Sequence, residues 1–180
     1  MQRAAQAGAT MVYTSASKPL NLRLVQAGEQ LGFRPEWVFS SSTATPDFFT
    51  ALGPSAKGLV FWFDNKVWTI SGDPDVDTFT AAMKQYGPDV PINGNVVTTF
   101  SSLMTLKRLA EQVGADKITR ADLAAAWKGM KPVEQFMGPE LNPAVHLPGF
   151  PNAFHTGSYL YRWNGTGFEE AGNGFYRIAA

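Results

Sequence analysis

Residues Gly8 to Thr45 read GATMVYTSASKPLNLRLVQAGEQLGFRPEWVFSSSTAT, a succession of strand, polar turn, amphipathic helix, strand and polar turn. The apolar run Thr10 to Thr14 fits a strand, and Glu36 to Ser40 fits the next one. Between them Pro19 stands where a first-turn proline belongs, with Ser17 available as the cap. Leu20, Leu24, Ala27 and Leu31 then recur at helical spacing until Gly32 ends the helix. In an open α/β sheet the ligand crevice lies beyond the carboxyl ends of the strands, so Thr14-Ser15-Ala16-Ser17 and Ser40-Ser41-Ser42-Thr43 both face it. The two turns offer hydroxyls and backbone amides but no acid–base pair. That set suits holding a small molecule better than transforming it.

Upstream, Met1 to Gly8 reads as the tail of a helix stopped by glycine. Downstream, Thr45-Pro46-Asp47 opens a short helix, Phe48 to Leu52, and Gly53-Pro54 forces a turn. The five apolar residues Leu59 to Phe63 predict a strand buried on both faces. Asp64 to Asp73 carries turn signals around Val67 to Ile70 and reads as a crossing between lobes.

From Asp73 the pattern is mostly helical. Asp75 to Tyr86 is one helix, with Phe79, Met83 and Tyr86 on a face. Asn95 to Val113 is the longest, and its spacing predicts a buried stripe of Val96, Phe100, Leu103, Leu106, Ala110 and Val113, with Lys107, Arg108 and Glu111 outward. Thr119-Arg120-Ala121-Asp122 caps a further helix whose apolar stripe is Leu123, Trp127 and Met130. Pro132, Pro139, Pro143, Pro148 and Pro151 argue against regular structure beyond Lys131. Ser158 to Trp163 is an aromatic strand, Asn164-Gly165 a hairpin turn, and Phe168 starts the return strand.

Composition narrows the function further. A chain of 180 residues with 44% apolar and 17% charged residues makes one globular domain or two small ones. Lys plus Arg and Asp plus Glu are 15 each, so no net field favours nucleic acid or a membrane surface. The absence of cysteine removes disulfides and thiolate chemistry. No stretch has the apolar run of a secretory signal or of a membrane span.

His146 and His155 lack acidic neighbours at ligand spacing and read as surface residues, not metal ligands. Asn164-Gly165-Thr166 matches the glycosylation pattern but serves a turn more economically. Trp62, Trp68, Trp127, Trp163 and Phe100 read as core residues by default, with ligand stacking as the alternative. No nucleophile elbow, phosphate loop or dinucleotide fingerprint is present, so no catalytic residue or cofactor is assigned.

In order along the chain, GATMVYT, QAGEQLGF, WVFSSS, ALGPSAKGLVFWF, DPDVDTFTAAMKQYGPD, ITRADLAAAWKGMK and YLYRWNGTGF resemble the C-terminal half of a substrate-binding protein of branched-chain amino acid type ABC transporters. The resemblance covers nearly the whole chain. It implies the type I periplasmic binding fold, two α/β lobes of parallel sheet and flanking helices closing on a small-molecule solute, here with the N-terminal half missing. Residues 1–66 would belong to the second lobe, 67–140 would return to the first, and 141–180 would make the last crossing and a C-terminal hairpin.

The same resemblance implies an extracytoplasmic location, an ABC permease as partner and no direct membrane insertion. It places second-lobe contacts at Ser15, Ser17, Ser41, Ser42 and Thr43, with Phe100 as a further candidate. An acid that pairs with the ligand's ammonium in leucine-binding members would fall near Ser41, yet no carboxylate lies between Glu36 and Asp47. The alternative reading is a cytoplasmic ligand-sensing regulatory domain of the same fold; an enzyme ranks third.

Overall fold

The structure, a computed structural model, describes residues 1–114, 118–129, 132–142, 145, 149 and 157–177. After the short helix α1 (Gln2–Gln6), the chain forms β1 (Met11–Thr14), α2 (Lys18–Gln30), β2 (Glu36–Ser40), α3 (Pro46–Leu52) and β3 (Val60–Phe63). Each junction follows its residues. Gly8 and Gly32 take left-handed backbone, φ 68° and 65°, where the helices end, and Pro46 opens α3 in its first turn.

Then come α4 (Pro74–Tyr86), α5 (Gly94–Val113), α6 (Arg120–Lys128) and the strands β4 (Val133–Glu134), β5 (Glu140–Leu141), β6 (Gly157–Trp163) and β7 (Phe168–Arg177). The main sheet runs β1-β2-β3-β6-β7, parallel through β3 and antiparallel beyond it. The β6–β7 hairpin turns where Asn164-Gly165 predicts. Asn164 Oδ1 accepts the N–H groups of Thr166 at 3.0 Å and Gly167 at 2.9 Å, and Gly165 has φ 111°, so this tripeptide works as a turn.

One face of the sheet carries the main core, because alternate residues of a strand share a face. Trp37 and Phe39 of β2, Phe61 and Phe63 of β3 and Tyr161 of β6 meet Val25 of α2 and Phe48 and Leu52 of α3. Gly28 lets α2 lie close, since a Cβ there would stand 3.0 Å from the Trp37 ring. Trp163 stacks on Phe49 with centroids 4.0 Å apart, and Trp68 packs edge-on against Phe63 and Phe168. These two tryptophans are half-buried and pack against the core.

A second core joins Val76 and Phe79 of α4 to Val97 of α5 and to Phe136 and Met137. Asp73 caps α4 by accepting the N–H groups of Asp75 at 3.1 Å and Val76 at 3.2 Å, and its carboxylate also binds Lys66. Burial opposes the Asp73 charge, but Lys66 and the capped N–H groups outweigh it and hold the carboxyl below its ordinary value. A depressed carboxyl stabilises the fold above the unfolded-state pKa of about 4 and ceases to do so as pH falls through the lower folded value. Asp73→Ala should therefore cost about 0.5–2 kcal/mol at neutral pH. That difference should shrink in urea titrations as pH falls through the lowered folded value of the carboxyl; a pH-independent difference would remove the carboxylate from the account.

Several expectations need correction. The buried face of α5 is Gly94, Val97, Ser101, Thr105 and Leu109, while Leu103 is 62% and Leu106 48% exposed. Apolar and small polar positions tile adjacent faces of this helix, and the polar partners described below select the inward one. Arg108 does not simply point outward but binds Asp75 Oδ1 at 2.8 Å and the Glu134 carbonyl at 3.2 Å. Helix α6 has the Thr119–Asp122 capping box as expected but buries none of its described residues, leaving Trp127 exposed.

Finally, β4 and β5 form an antiparallel pair inside the proline-rich stretch, closing over a turn in which Met137 takes φ 54°. His146, His155, Met130, Pro143, Pro148 and Pro151 lie outside the described residues.

Candidate functional site

The two polar turns leave the sheet at the same end, since β1 and β2 run parallel with Thr14 opposite Phe39. Asn21, fully buried in the first turn of α2, ties them together. Its Nδ2 donates to the Ala16 carbonyl and to Thr43 Oγ1, both at 3.0 Å, and its Oδ1 accepts the Thr14 hydroxyl at 3.0 Å. Thr14 Oγ1 accepts the Ala16 N–H at 3.2 Å, closing the first turn on itself. Sequence reasoning missed Asn21. Its only local signal was an amide of modest helix propensity directly behind a polar turn.

The second turn is a single 3-10 turn, Ser41–Thr43, in which the Ala44 N–H reaches the Ser41 carbonyl at 3.1 Å. Ser41 and Thr43 are buried, and half-buried Ser42 lies 3.1 Å from Ser40, hydroxyl to hydroxyl. The N-terminus of α5 abuts this turn. Asn93 caps it, accepting the N–H groups of Asn95 at 2.9 Å and Val96 at 3.2 Å. A Cβ on Gly94 would stand 2.1 Å from Ser41 Oγ and 2.8 Å from the Ser41 carbonyl carbon, so only glycine permits the approach. Gly94→Ala should force the turn and α5 apart at a cost of about 1–3 kcal/mol. A urea midpoint unchanged within error would show the turn shifts freely.

Ser15 and Ser17 are exposed on the first turn. Ser17 occupies the cap position of α2 but makes no side-chain cap bond; its carbonyl accepts the Asn21 N–H at 2.9 Å. Phe100 stands apart from the serines' hydrogen-bonding set, packed in the second core with Phe79 at 5.2 Å and Phe136 at 5.6 Å between centroids. Asp47, the acid that follows the serine turn, is paired with Lys18, whose hydrogen bond, together with that of Thr45, holds the carboxyl below its ordinary value. The site is thus a ring of hydroxyls and peptide groups without a free carboxylate of its own. Among the described residues no group of His, Asp or Glu could hold a metal ion.

The sequence matches the periplasmic binding protein family model over residues 1–167. The chain belongs to that family, and its mixed sheet with flanking helices is the type I periplasmic binding protein fold. It is similar, with a TM-score of 0.73 and 16% identity over 98% of this chain and 44% of the other, to a fatty acid ABC transporter substrate-binding protein from Thermomonospora curvata. A branched-chain amino acid ABC transporter protein from Thermus thermophilus with bound valine gives 0.68 and 17% over 99% and 48%. A solute-binding protein from Rhodopseudomonas palustris HaA2 in complex with p-hydroxybenzoic acid gives 0.67 and 18% over 98% and 48%.

The chain spans 42% to 48% of the length of such structures. Curated proteins offer no match. No described helix is long and apolar enough to cross a membrane.

Proposed function

We propose that this chain is the C-terminal half of the solute-binding component of an ABC importer, with residues 1–66 in the second lobe, 67–140 returning to the first and 141–180 making the last crossing. The observation that carries this reading is the convergence of residues 15–17 and 41–43 at one sheet end, locked by Asn21 and met by the N-terminus of α5. Ser15, Ser17, Ser41 and Ser42 offer the hydroxyl and amide contacts, and Thr43 shapes the turn from within. The solute is a small amino-acid-like or other polar or aromatic molecule, and residues 37–46 supply no carboxylate to match an α-ammonium group. Solutes named for similar proteins include valine and p-hydroxybenzoic acid. The complete protein works outside the cytoplasm and delivers its solute to a membrane permease.

The test uses the full two-lobed protein and calorimetric titration with amino acids, amides and aromatic acids. Ser41→Ala and Ser42→Ala should each weaken the solute that binds by roughly 2–13-fold, one hydrogen bond of about 0.5–1.5 kcal/mol. Thr43→Ala should instead lower stability by about 1–3 kcal/mol, because it leaves one of the two N–H groups of buried Asn21 Nδ2 without its acceptor while the bond to the Ala16 carbonyl stays. Unchanged affinity in both serine variants would reduce the cluster to a structural turn.

A further inference from the structure

The inward face of α5 carries two buried hydroxyls, Ser101 and Thr105, and each is used twice. Ser101 Oγ accepts from Asn65 Nδ2 at 2.9 Å and donates to the Phe136 carbonyl. Thr105 Oγ1 donates to the Ser101 carbonyl at 2.8 Å and accepts the Phe136 N–H at 3.2 Å. Asn65, only 1% exposed, takes the Thr98 hydroxyl on its Oδ1 at 3.0 Å.

More bonds extend the seam. The Lys66 N–H donates to the Met137 carbonyl at 2.6 Å, and Asp75 Oδ2 accepts the Met137 N–H at 3.0 Å. Asp75 Oδ1 holds Arg108, which also reaches the Glu134 carbonyl. The chain leaving β3, the first turn of α4, the length of α5 and the 134–137 segment are therefore joined by hydrogen bonds that cross between elements.

Apolar contact is non-directional and lets packed elements slide, whereas hydrogen bonds depend on distance and angle. A buried seam built from donors and acceptors that satisfy one another specifies a single relative placement. We infer that Asn65, Ser101 and Thr105 are positioning residues that set the angle between the five-stranded sheet and the α4–α5 pair. That placement stands on the geometry of this chain. Its consequence, that the seam sets how far the crevice opens before solute binds, rests on the reading under Proposed function.

The chain has no cysteine, so Gln26→Cys on α2 and Lys84→Cys on α4, both exposed, can carry a pair of nitroxide labels. Double electron–electron resonance on the labelled chain, diluted into unlabelled chain and without solute, reads the angle directly. The parent and Thr105→Ser, which keeps the hydroxyl, should give the same single narrow distance distribution. Thr105→Val keeps the volume but not the hydroxyl. It and Asn65→Ala should broaden or displace the distribution, and exchange of the Phe136 amide in Thr105→Val should quicken about tenfold or more while the amides of β2 and β3 keep their rates.

An unchanged distribution in folded Thr105→Val and Asn65→Ala would overturn the proposal, and a lowered melting temperature alone would make the seam merely structural. If Thr105→Val does not fold, Asn65→Ala decides; failure of both to fold would also assign the seam to stability. None of these readings uses a solute, so they fail independently of the titration that tests the binding function.

Discussion

Phe39→Ala is expected to lower the unfolding free energy by about 3–5 kcal/mol, the cost of removing a fully buried aromatic ring and leaving a cavity. Phe39 is wholly inaccessible, and its ring meets Trp37 at 5.9 Å, Phe48 at 5.8 Å and Phe61 at 5.7 Å between centroids. It thus joins β2 to β3 and α3 at once. Domains of ordinary size hold about 5–15 kcal/mol in all, so this one change should remove a large share of the stability. Leu103→Ala, on the exposed side of α5, should change it by no more than about 0.5 kcal/mol. Urea unfolding followed by tryptophan fluorescence compares the two; a loss below about 1 kcal/mol at Phe39 would mean that the core re-packs around the gap.

The second large effect concerns the α4–α6 surface. Tyr86 is 79%, Leu103 62%, Leu106 48% and Val90 47% exposed, and Trp127 adds its own exposed area. Met83, Tyr86, Val90, Val96, Phe100 and Leu103 line one groove of about 500 Å³ between α4 and α5. Apolar patches of this kind on a soluble chain mark surfaces that another element covers. Purified by itself, the 180-residue chain should self-associate, its weight-average mass rising with concentration in sedimentation equilibrium. The pair Leu103→Glu with Leu106→Glu should return it to monomer with the secondary structure intact. A parent chain that stays monomeric across the accessible concentration range would show the patch to be tolerated as it stands.

Both effects bear on how much of the protein is legible in one dimension. The strand run Glu36 to Ser40, the apolar run into β3, Pro46, the Thr119–Asp122 capping box and the Asn164-Gly165 turn all act within a few residues, and the corresponding elements stand where they predict. The inward face of α5 was not legible in the same way. Its apolar residues favour a face through Leu103 and Leu106, but the buried face follows Ser101 and Thr105, whose partners lie 35 and 31 residues away at Phe136. Likewise the serine turns were visible as polar turns, yet nothing local marks Asn21 as their lock, because Thr43 lies 22 residues further along.

The sequence by itself thus determined the alternation of strands and helices, the polar turns at the strand ends and the hairpin, since steric preference, side-chain periodicity and capping are short-range. Only the tertiary structure decided that Thr43 faces inward to Asn21 while Ser15 and Ser17 face solvent, and that Gly94 brings α5 onto Ser41. The physical reason is that a buried polar group must find a partner wherever the chain supplies one, and such a partner is set by distance in space, not by separation along the chain.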